Sequence, residues 1–321
     1  MQARLFCILT LIAALCAPVA KATMRRVTVE QLEHLLAESG SKPDAEVAKQ
    51  LSTVELTERL SAAKFAQLKA ELPGEKSQQE LLVLADVSSF LAPPAEEIPA
   101  TAVPTEASQR RMMARTVAYL AKTLPLLPNL FATRDTTRFE TRASDFDAEL
   151  DVENPLRPAN RSVATVFYKN GQEFVYGGTS KDAKPPDKGL TTAGEFGPIL
   201  GTIVTDAARS QLAWSHWELS SAGPQAVFRY SVPELKSHYD IRFCCVTASY
   251  GLEQKLYAQR VGYHGEITID PESGAIVRLS LIGDFEAGSP IARASMVVEY
   301  GLEGRATSAR CMALRWRSRL I

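Results

Sequence analysis

The sequence predicts an α+β protein: a small N-terminal helical bundle, then a curved, half-barrel-like antiparallel sheet packed with one or two helices. Two observations carry this prediction. Apolar residues recur at helical spacing through residues 27–92, and from Phe131 onward the period changes to two. The predicted divisions are a signal peptide (1–22), a helical domain (23–92), a proline-rich linker (93–105), a sheet domain with its lead helix (106–300) and an atypical basic tail (301–321).

The first residues have the three parts of a secretory signal peptide. Arg4 supplies the positive charge, residues 5–19 are apolar, and the segment Ala20-Lys21-Ala22 fits the small-x-small rule for cleavage after Ala22. A buried N-terminal helix is the alternative interpretation. We expect an exported, periplasmic protein with no transmembrane segment in its mature part, because no later stretch is long and apolar enough to span a bilayer.

Three potential capping boxes precede apolar stripes in the helical part, and each one predicts a helix start. The pairs are Thr28 with Gln31, Ser52 with Glu55, and Ser77 with Glu80. Helices this short are not stable alone, so we expect them to pack together. The surface that they present is a candidate docking site for a protein partner.

The second half of the chain reads as strands separated by short turn signals. Asn170-Gly171 predicts the tip of a type I′ hairpin, and Pro198 predicts a helix start. The remaining runs predict one antiparallel sheet of roughly eight or nine strands. After Tyr300 the alternation stops and five arginines follow with a single acid. One interpretation is a genuine basic tail. The other is a shifted reading frame or a truncation that replaced the last strand, which would leave an unprotected edge on the sheet.

Composition and motifs exclude several functional classes. A formal net charge of −1 is too balanced for a nucleic-acid-binding protein. The sequence contains no P-loop, G-x-S-x-G, H-E-x-x-H or C-x-x-C motif, so we expect no cofactor and favour a non-enzymatic role. Cys244 and Cys245 are adjacent in a strand-like run and are poorly placed to bridge each other; their role stays open.

Three histidines of the sheet domain each have a carboxylate two residues further on. The pairs are His216 with Glu218, His238 with Asp240, and His264 with Glu266. Residues at i and i+2 of a strand share a face, so neighbouring strands could bring imidazoles and carboxylates together as a zinc or iron site, or as a base with its orienting acid. The same pattern is usual on the solvated face of an antiparallel strand, and that interpretation is favoured.

Large aromatic residues are concentrated in the same part of the chain. They are Trp214, Trp217, Phe228, Tyr230 and Phe243, with Tyr239 beside them. Core packing is the simpler interpretation, and the lining of an apolar ligand cavity is the functional one. Strict alternation places Trp214 and Trp217, on either side of His216, on opposite faces of their strand.

The region from about residue 106 to 300 resembles the LolA/LolB-like lipoprotein-carrier superfamily. The resemblance depends on the helix "RTVAYLAKTLPLLPNLFATRD" running into a first strand, on the successive hairpins and on the strand-turn-strand "GEITIDPESGAIVRLSL". It also extends to exported bacterial proteins of uncharacterised role with a helical front and a sheet back. The resemblance implies a curved sheet around helices with a hydrophobic cavity for acyl chains, and a lipid or lipoprotein as ligand.

Three functions follow as hypotheses. The first is an exported, non-enzymatic protein that binds a lipid, an acyl chain or another envelope component. The second is an interaction or structural module whose sheet is packed solid. The third is a metal-dependent enzyme that uses the histidine–carboxylate pairs.

Overall fold

The computed structural model describes residues 24–124, 130–140, 157–169, 172–176, 189–191, 198–220, 223–247, 254–286, 291–303 and 306–318. The predicted signal peptide and the Asn170-Gly171 turn lie outside these ranges. Within them the protein is α+β and contains an open antiparallel sheet, which confirms the fold class at that level.

Four helices and a pair of short strands form the part of the chain before the linker. They are β1 (Arg25–Val27), α1 (Val29–Ala37), α2 (Asp44–Leu51), β2 (Val54–Leu56), α3 (Ala62–Glu71) and α4 (Glu75–Ser88). β1 and β2 pair in parallel. Apolar side chains from the helices and both strands pack into one core, in which Leu32, Leu51 and Leu81 have no exposed surface. Burial of this core stabilises helices that would be too short to persist alone.

The capping signals gave one correct helix start and two wrong ones. The Thr28 hydroxyl accepts from the Gln31 amide and the Gln31 side chain accepts from the Thr28 amide, which confirms that box. Glu55 lies in strand β2 instead, because this segment pairs with β1. α4 begins earlier than predicted, after Gly74, and the Ser77 hydroxyl donates to Asp44 Oδ1 at 2.6 Å. Tertiary contacts therefore override the local signal at both positions.

The remaining α-helices and β-strands follow residue 105. They are α5 (Glu106–Thr123), β3 (Leu130–Glu140), β4 (Arg157–Lys169), β5 (Gln172–Tyr176), β6 (Gly189–Thr191), α6 (Pro198–Ala208), β7 (Gln211–Ser220), β8 (Gly223–Val232), β9 (Asp240–Thr247), β10 (Gln254–Arg260), β11 (Gly262–Ile269), β12 (Ile276–Asp284), β13 (Ile291–Glu303) and β14 (Ala306–Ser318). The helix start at Pro198 is confirmed, and Lys169 pairs with Gln172 across the predicted hairpin.

The predicted single sheet is divided. Among the described strands, β3–β4–β5 and β10–β9–β6 form two three-stranded antiparallel sheets, separate from the main sheet. The main sheet has the antiparallel order β13–β12–β11–β8–β7, and β14 pairs outside β13. The prediction of one sheet was therefore wrong. Hydropathy alternation indicates that a segment is a strand but does not specify which strands pair with it.

The tail contains a strand that the sequence pattern did not predict. Ala306–Ser318 pairs with β13 from Ile291↔Ser318 to Glu303↔Ala306, with register shifts on the way. The expected unprotected edge at β13 is therefore covered by β14. Backbone pairing does not require a side-chain alternation, which explains why the absence of alternation after Tyr300 was misleading.

Two helices cover one face of the main sheet. Alternate residues of its strands point to α5 and α6 and form a second core with them. Tyr263, Phe228, Ile267 and Leu279 are among its buried side chains, and Ile203 of α6 lies fully buried against them. This face, called the core face below, is filled by side chains.

The opposite face of the main sheet meets the N-terminal part of the chain. The Arg59 guanidinium, just ahead of α3, donates to Glu218 of β7 at 2.6 Å. The carbonyl of Ser89, just after α4, accepts from Arg278 Nη2 of β12 at 2.5 Å. These contacts join residues that lie 159 and 189 positions apart in sequence. We call this second face the polar face.

In the part of the chain that the structure describes, no helix is long and apolar enough to cross a membrane.

Candidate functional site

An open groove of about 650 Å³ lies where the N-terminal part meets the polar face. One wall is the segment Phe90–Pro93, and the floor comes from strands β7, β8, β11 and β12. The polar side chains that line it include His216, Arg229, His264 and Arg278. This volume is in the range of small-molecule sites.

A buried network of charges begins at one end of the groove. Glu218 accepts from Arg59 Nη2 through Oε2 at 2.6 Å and from His216 Nε2 through Oε1 at 2.9 Å. The Arg59 and Glu218 side chains are only 7% and 8% exposed. An ionised carboxylate only accepts hydrogen bonds, so His216 carries a proton on Nε2. Its Nδ1 lies 2.8 Å from the Ser215 hydroxyl.

The surroundings of Glu218 strongly favour its ionised form. Burial alone raises the pKa of this carboxyl, but the hydrogen bond from His216 and the attraction of Arg59 outweigh burial and lower the pKa to about 2. Glu97, half-buried nearby, shows the opposite result. Its burial raises its pKa although Ser61 and Arg59 favour the charged form. Glu218 is therefore a fixed negative charge at neutral pH and a poor general acid.

Arg278 lies in the floor of the groove with incomplete hydrogen bonding. Its side chain is 8% exposed, and only Nη2 has a hydrogen-bond acceptor, the Ser89 carbonyl. Nη1 and Nε are buried without a hydrogen-bond partner, and Nε comes within 3.9 Å of Glu299 Oε1. Burial and the repulsion of Arg59 lower the pKa of Arg278 to about 10, so the guanidinium stays charged at neutral pH. A buried cation with unused donors is energetically unfavourable unless something accepts from them.

The predicted histidine–carboxylate pairs are realised only at His216. His238 Nδ1 lies 2.7 Å from Asp206 Oδ1, and His264 Nδ1 lies 2.7 Å from Asp284 Oδ1. The three histidines thus contact three different carboxylates.

The other two predicted carboxylates pair with arginines. Asp240 Oδ1 accepts from Arg260, and Glu266 Oε1 accepts from Arg229, each at 3.4 Å. Within the described ranges, no three or more His, Cys, Asp or Glu side chains are arranged to hold a metal ion. His216, His264 and Glu266 line the same groove.

The predicted cavity aromatics lie largely in the core face. Phe228 and Tyr230 are 2% and 3% exposed, and Trp214 and Trp217 pack against the same cluster. The Tyr230 hydroxyl donates to the Ser280 carbonyl at 2.6 Å within the sheet. The Phe243 side chain, like those of Cys244 and Cys245, lies outside the described residues.

The two tryptophans lie on the same face, which contradicts strict alternation. The pairing of β7 with β8 shifts register between Trp214 and His216. The extra residue of this β-bulge reverses the facing of the residues after it. The Trp214 and Trp217 rings therefore meet edge to face, with centroids 4.9 Å apart.

A second buried polar cluster was not predicted from the sequence. Asp206 of α6 is 1% exposed and accepts from the His238 amide at 2.9 Å and from the Tyr263 hydroxyl at 2.8 Å, besides its 2.7 Å contact with His238 Nδ1. These bonds join α6 to the loop before β9 and to β11. An acid within the otherwise apolar run "PILGTIVTDAA" was the one signal in the sequence that pointed to such a partner.

Comparisons of the chain with protein-family models, with curated proteins and with solved structures found no match. The class of the protein is defined by its own structure: an α+β protein with an open antiparallel sheet, helices on one face and a charged groove on the other. The resemblance to the lipoprotein carriers stays an expectation from the sequence.

Proposed function

We propose that this is an exported, non-enzymatic binding protein of the cell envelope and that the groove on the polar face holds its ligand. The observation that carries the proposal is the groove itself, about 650 Å³ in volume and open along the contact of the N-terminal part with the sheet. Export is supported by the pattern of residues 1–22.

The chemistry of the groove supports binding rather than catalysis. His216 and His264 each use one ring nitrogen on a carboxylate, and Glu218 is held ionised by its partners. A carboxyl with a pKa of about 2 does not exchange protons near neutral pH, so Glu218 could orient His216 but would not itself act as a general acid or base. The metal-dependent enzyme is the weaker hypothesis, because no three or more His, Cys, Asp or Glu side chains in the described ranges are arranged to hold a metal ion.

The composition of the lining supports an amphipathic ligand. Phe90, Leu91, Pro93 and Ile282 offer apolar contacts, while arginines and histidines offer donors. This agrees with a lipid or a lipoprotein as ligand, as the resemblance to the lipoprotein carriers implies. The groove differs from the site implied by that resemblance, because it lies on the polar face.

An interaction module is a second candidate, favoured by one specific observation. The core face, where the resemblance implies an acyl-chain cavity, is filled by side chains such as Phe228, Tyr263 and Ile267. In this alternative the N-terminal helices would contact a protein partner and the groove would be a surface feature. The predicted half-barrel curvature of the sheet is part of the first proposal, in which the protein binds a ligand, and this alternative does not need it.

Native mass spectrometry of the mature protein, purified gently from the periplasm, tests these functions. A bound mass in the lipid range is expected, and it should disappear when Ala213, in the groove lining, is changed to Trp. The matched control is Leu219→Trp on the same strand, at a side chain that is 45% exposed and lies outside the groove lining. A bare polypeptide mass would favour the interaction module, and a bound zinc or iron would revive the enzyme.

A further inference from the structure

Resting on the proposed function, we infer that Arg278 anchors an anionic group, a carboxylate or a phosphate, of an amphipathic ligand in the groove. The observation behind this inference is the pair of buried guanidinium nitrogens, Nη1 and Nε, that have no hydrogen-bond partner in a side chain that lines the groove. A planar guanidinium with free donors suits the oxygen atoms of such an anion.

The arrangement around Arg278 explains why the donors remain free. Nη2 is fixed by the Ser89 carbonyl at 2.5 Å, which orients the guanidinium plane. The Glu299 carboxylate approaches Nε only to 3.9 Å, at Oε1, which is too far for a hydrogen bond. Arg278 is thus held in place by a neutral acceptor, and its charge is left incompletely paired.

Other charged groups around the site are engaged by partners of their own. Glu218 is engaged by Arg59 at 2.6 Å, and Glu266 accepts from Arg229 at 3.4 Å. His264 is paired with Asp284 on the next strand. Arg278 brings a further positive charge to the groove floor, and the Glu299 carboxylate, 3.9 Å from its Nε, is close enough to attract that charge but does not accept a hydrogen bond from it. A bound anion would neutralise it in a partly desolvated place, where charge-assisted hydrogen bonds are strong.

The apolar part of the lining restricts the ligand further. Phe90 and Leu91 belong to the wall of the groove. Ile282 belongs to its floor and lies on β12, the strand that also carries Arg278. An inorganic anion would leave these side chains uncovered. An anion with an attached hydrocarbon chain uses both parts of the groove.

Isothermal titration of the delipidated mature protein tests the inference. The probes are dodecanoate, dodecyl phosphate, dodecanol and inorganic phosphate, each amphiphile below its micelle concentration. We expect the two anionic amphiphiles to bind roughly 10- to 100-fold more tightly than dodecanol, the range that charge-assisted hydrogen bonds supply. Equal affinity for dodecanoate and dodecanol would overturn the inference and leave the proposed function standing.

Two variants locate the preference. Arg278→Met should abolish it, and Arg278→Lys should restore part of it. Arg260→Met is the matched control, because Arg260 lies outside the groove lining and its side chain is 56% exposed, so this variant should keep the preference. Circular dichroism checks folding; should Arg278→Met not fold, the comparison of the four probes on the unaltered protein decides alone.

The remaining outcomes separate the possible sources of the anion and the two proposals. Binding of inorganic phosphate that depends on Arg278 would support the anion site and identify a free phosphate as its source. Binding of the amphiphiles alone would identify a lipid or fatty acid. Failure of all four probes to bind would overturn the inference, and together with a bare mass after gentle purification it would overturn the proposed function as well.

Discussion

Glu218→Gln should be strongly destabilising, because it removes one partner from a buried ion pair. Arg59 would keep its charge at 7% exposure without the carboxylate that it contacts at 2.6 Å. Breaking a buried pair in this way typically costs about 3–5 kcal/mol. The pKa gives a figure of similar size from the same contacts: a decrease from the ordinary value of 4.5 to about 2 corresponds to about 3 kcal/mol of stabilisation in favour of the ionised form.

The same shift predicts the pH range in which the difference disappears. The folded-state pKa of Glu218 is below its unfolded value, so its stabilisation is fully present above about pH 4.5 and is lost as the pH falls through about 2. The difference in free energy of unfolding between the parent and Glu218→Gln should therefore be constant at neutral pH. It should shrink progressively below about pH 4.5.

Urea denaturation followed by tryptophan fluorescence measures the effect, since Trp214 and Trp217 pack against the core. The matched control is Asp240→Asn, which breaks an ion pair with Arg260 whose side chains are 45% and 56% exposed. Exposed pairs contribute about 0–1 kcal/mol, so this variant should unfold close to the parent. A Glu218→Gln cost equal to that of the control would refute the buried-pair reasoning.

Three further changes test other parts of the structure, the first two by urea denaturation. Asp206→Asn should lower the free energy of unfolding by about 3 kcal/mol, because it weakens a buried acceptor of several hydrogen bonds. His238→Ala should lower it by less, because that side chain is 61% exposed. Equal losses would contradict this order. Gly274→Ala should be destabilising by more than about 1 kcal/mol, since φ is +77° and an added Cβ would lie 2.6 Å from the backbone of Arg115. Gly223→Ala is the comparison: φ is +115° but the space around it is open, so only the smaller conformational cost is expected. Trp217→Phe should lose the bond to the Ala102 carbonyl and speed proteolysis of the segment around Ala102. An unchanged cleavage rate would show that this bond does not hold that segment in place.

Local sequence signals predicted those features whose cause is local. The Thr28 box forms because its two hydrogen bonds involve residues three apart. Pro198 begins a helix because its fixed φ and missing amide suit a first turn. Strands β7, β8 and β11 lie where strand-length runs between turn signals predicted them. The two helix starts need nothing from the rest of the chain, whereas each strand still needs a neighbour for its backbone hydrogen bonds.

The features that the sequence could not supply depend on distant partners or on a single irregular residue. Glu218 was predicted to share a face with His216, which is confirmed, but its partner Arg59 lies 159 residues away. The bulge between Trp214 and His216 changes which face Trp217 joins, and no residue type marks it. Arg278 was not a candidate because an arginine in a strand is usually solvated.

The burial of charges on the polar face connects the two halves of the chain. A buried ion pair adds little stability compared with apolar packing, but it penalises every arrangement in which one member lacks its partner. Arg59–Glu218 therefore favours one placement of the N-terminal part on the sheet, and that placement brings the Ser89 carbonyl to Arg278. Since one acceptor cannot satisfy a guanidinium, the contact that positions the two parts leaves two buried nitrogens of Arg278 without a hydrogen-bond partner, in a side chain that lines the groove. Weakening the Arg59–Glu218 pair should thus reduce ligand affinity even for variants that remain folded, because the wall Phe90–Pro93 and the Arg278 donors would lose their common alignment.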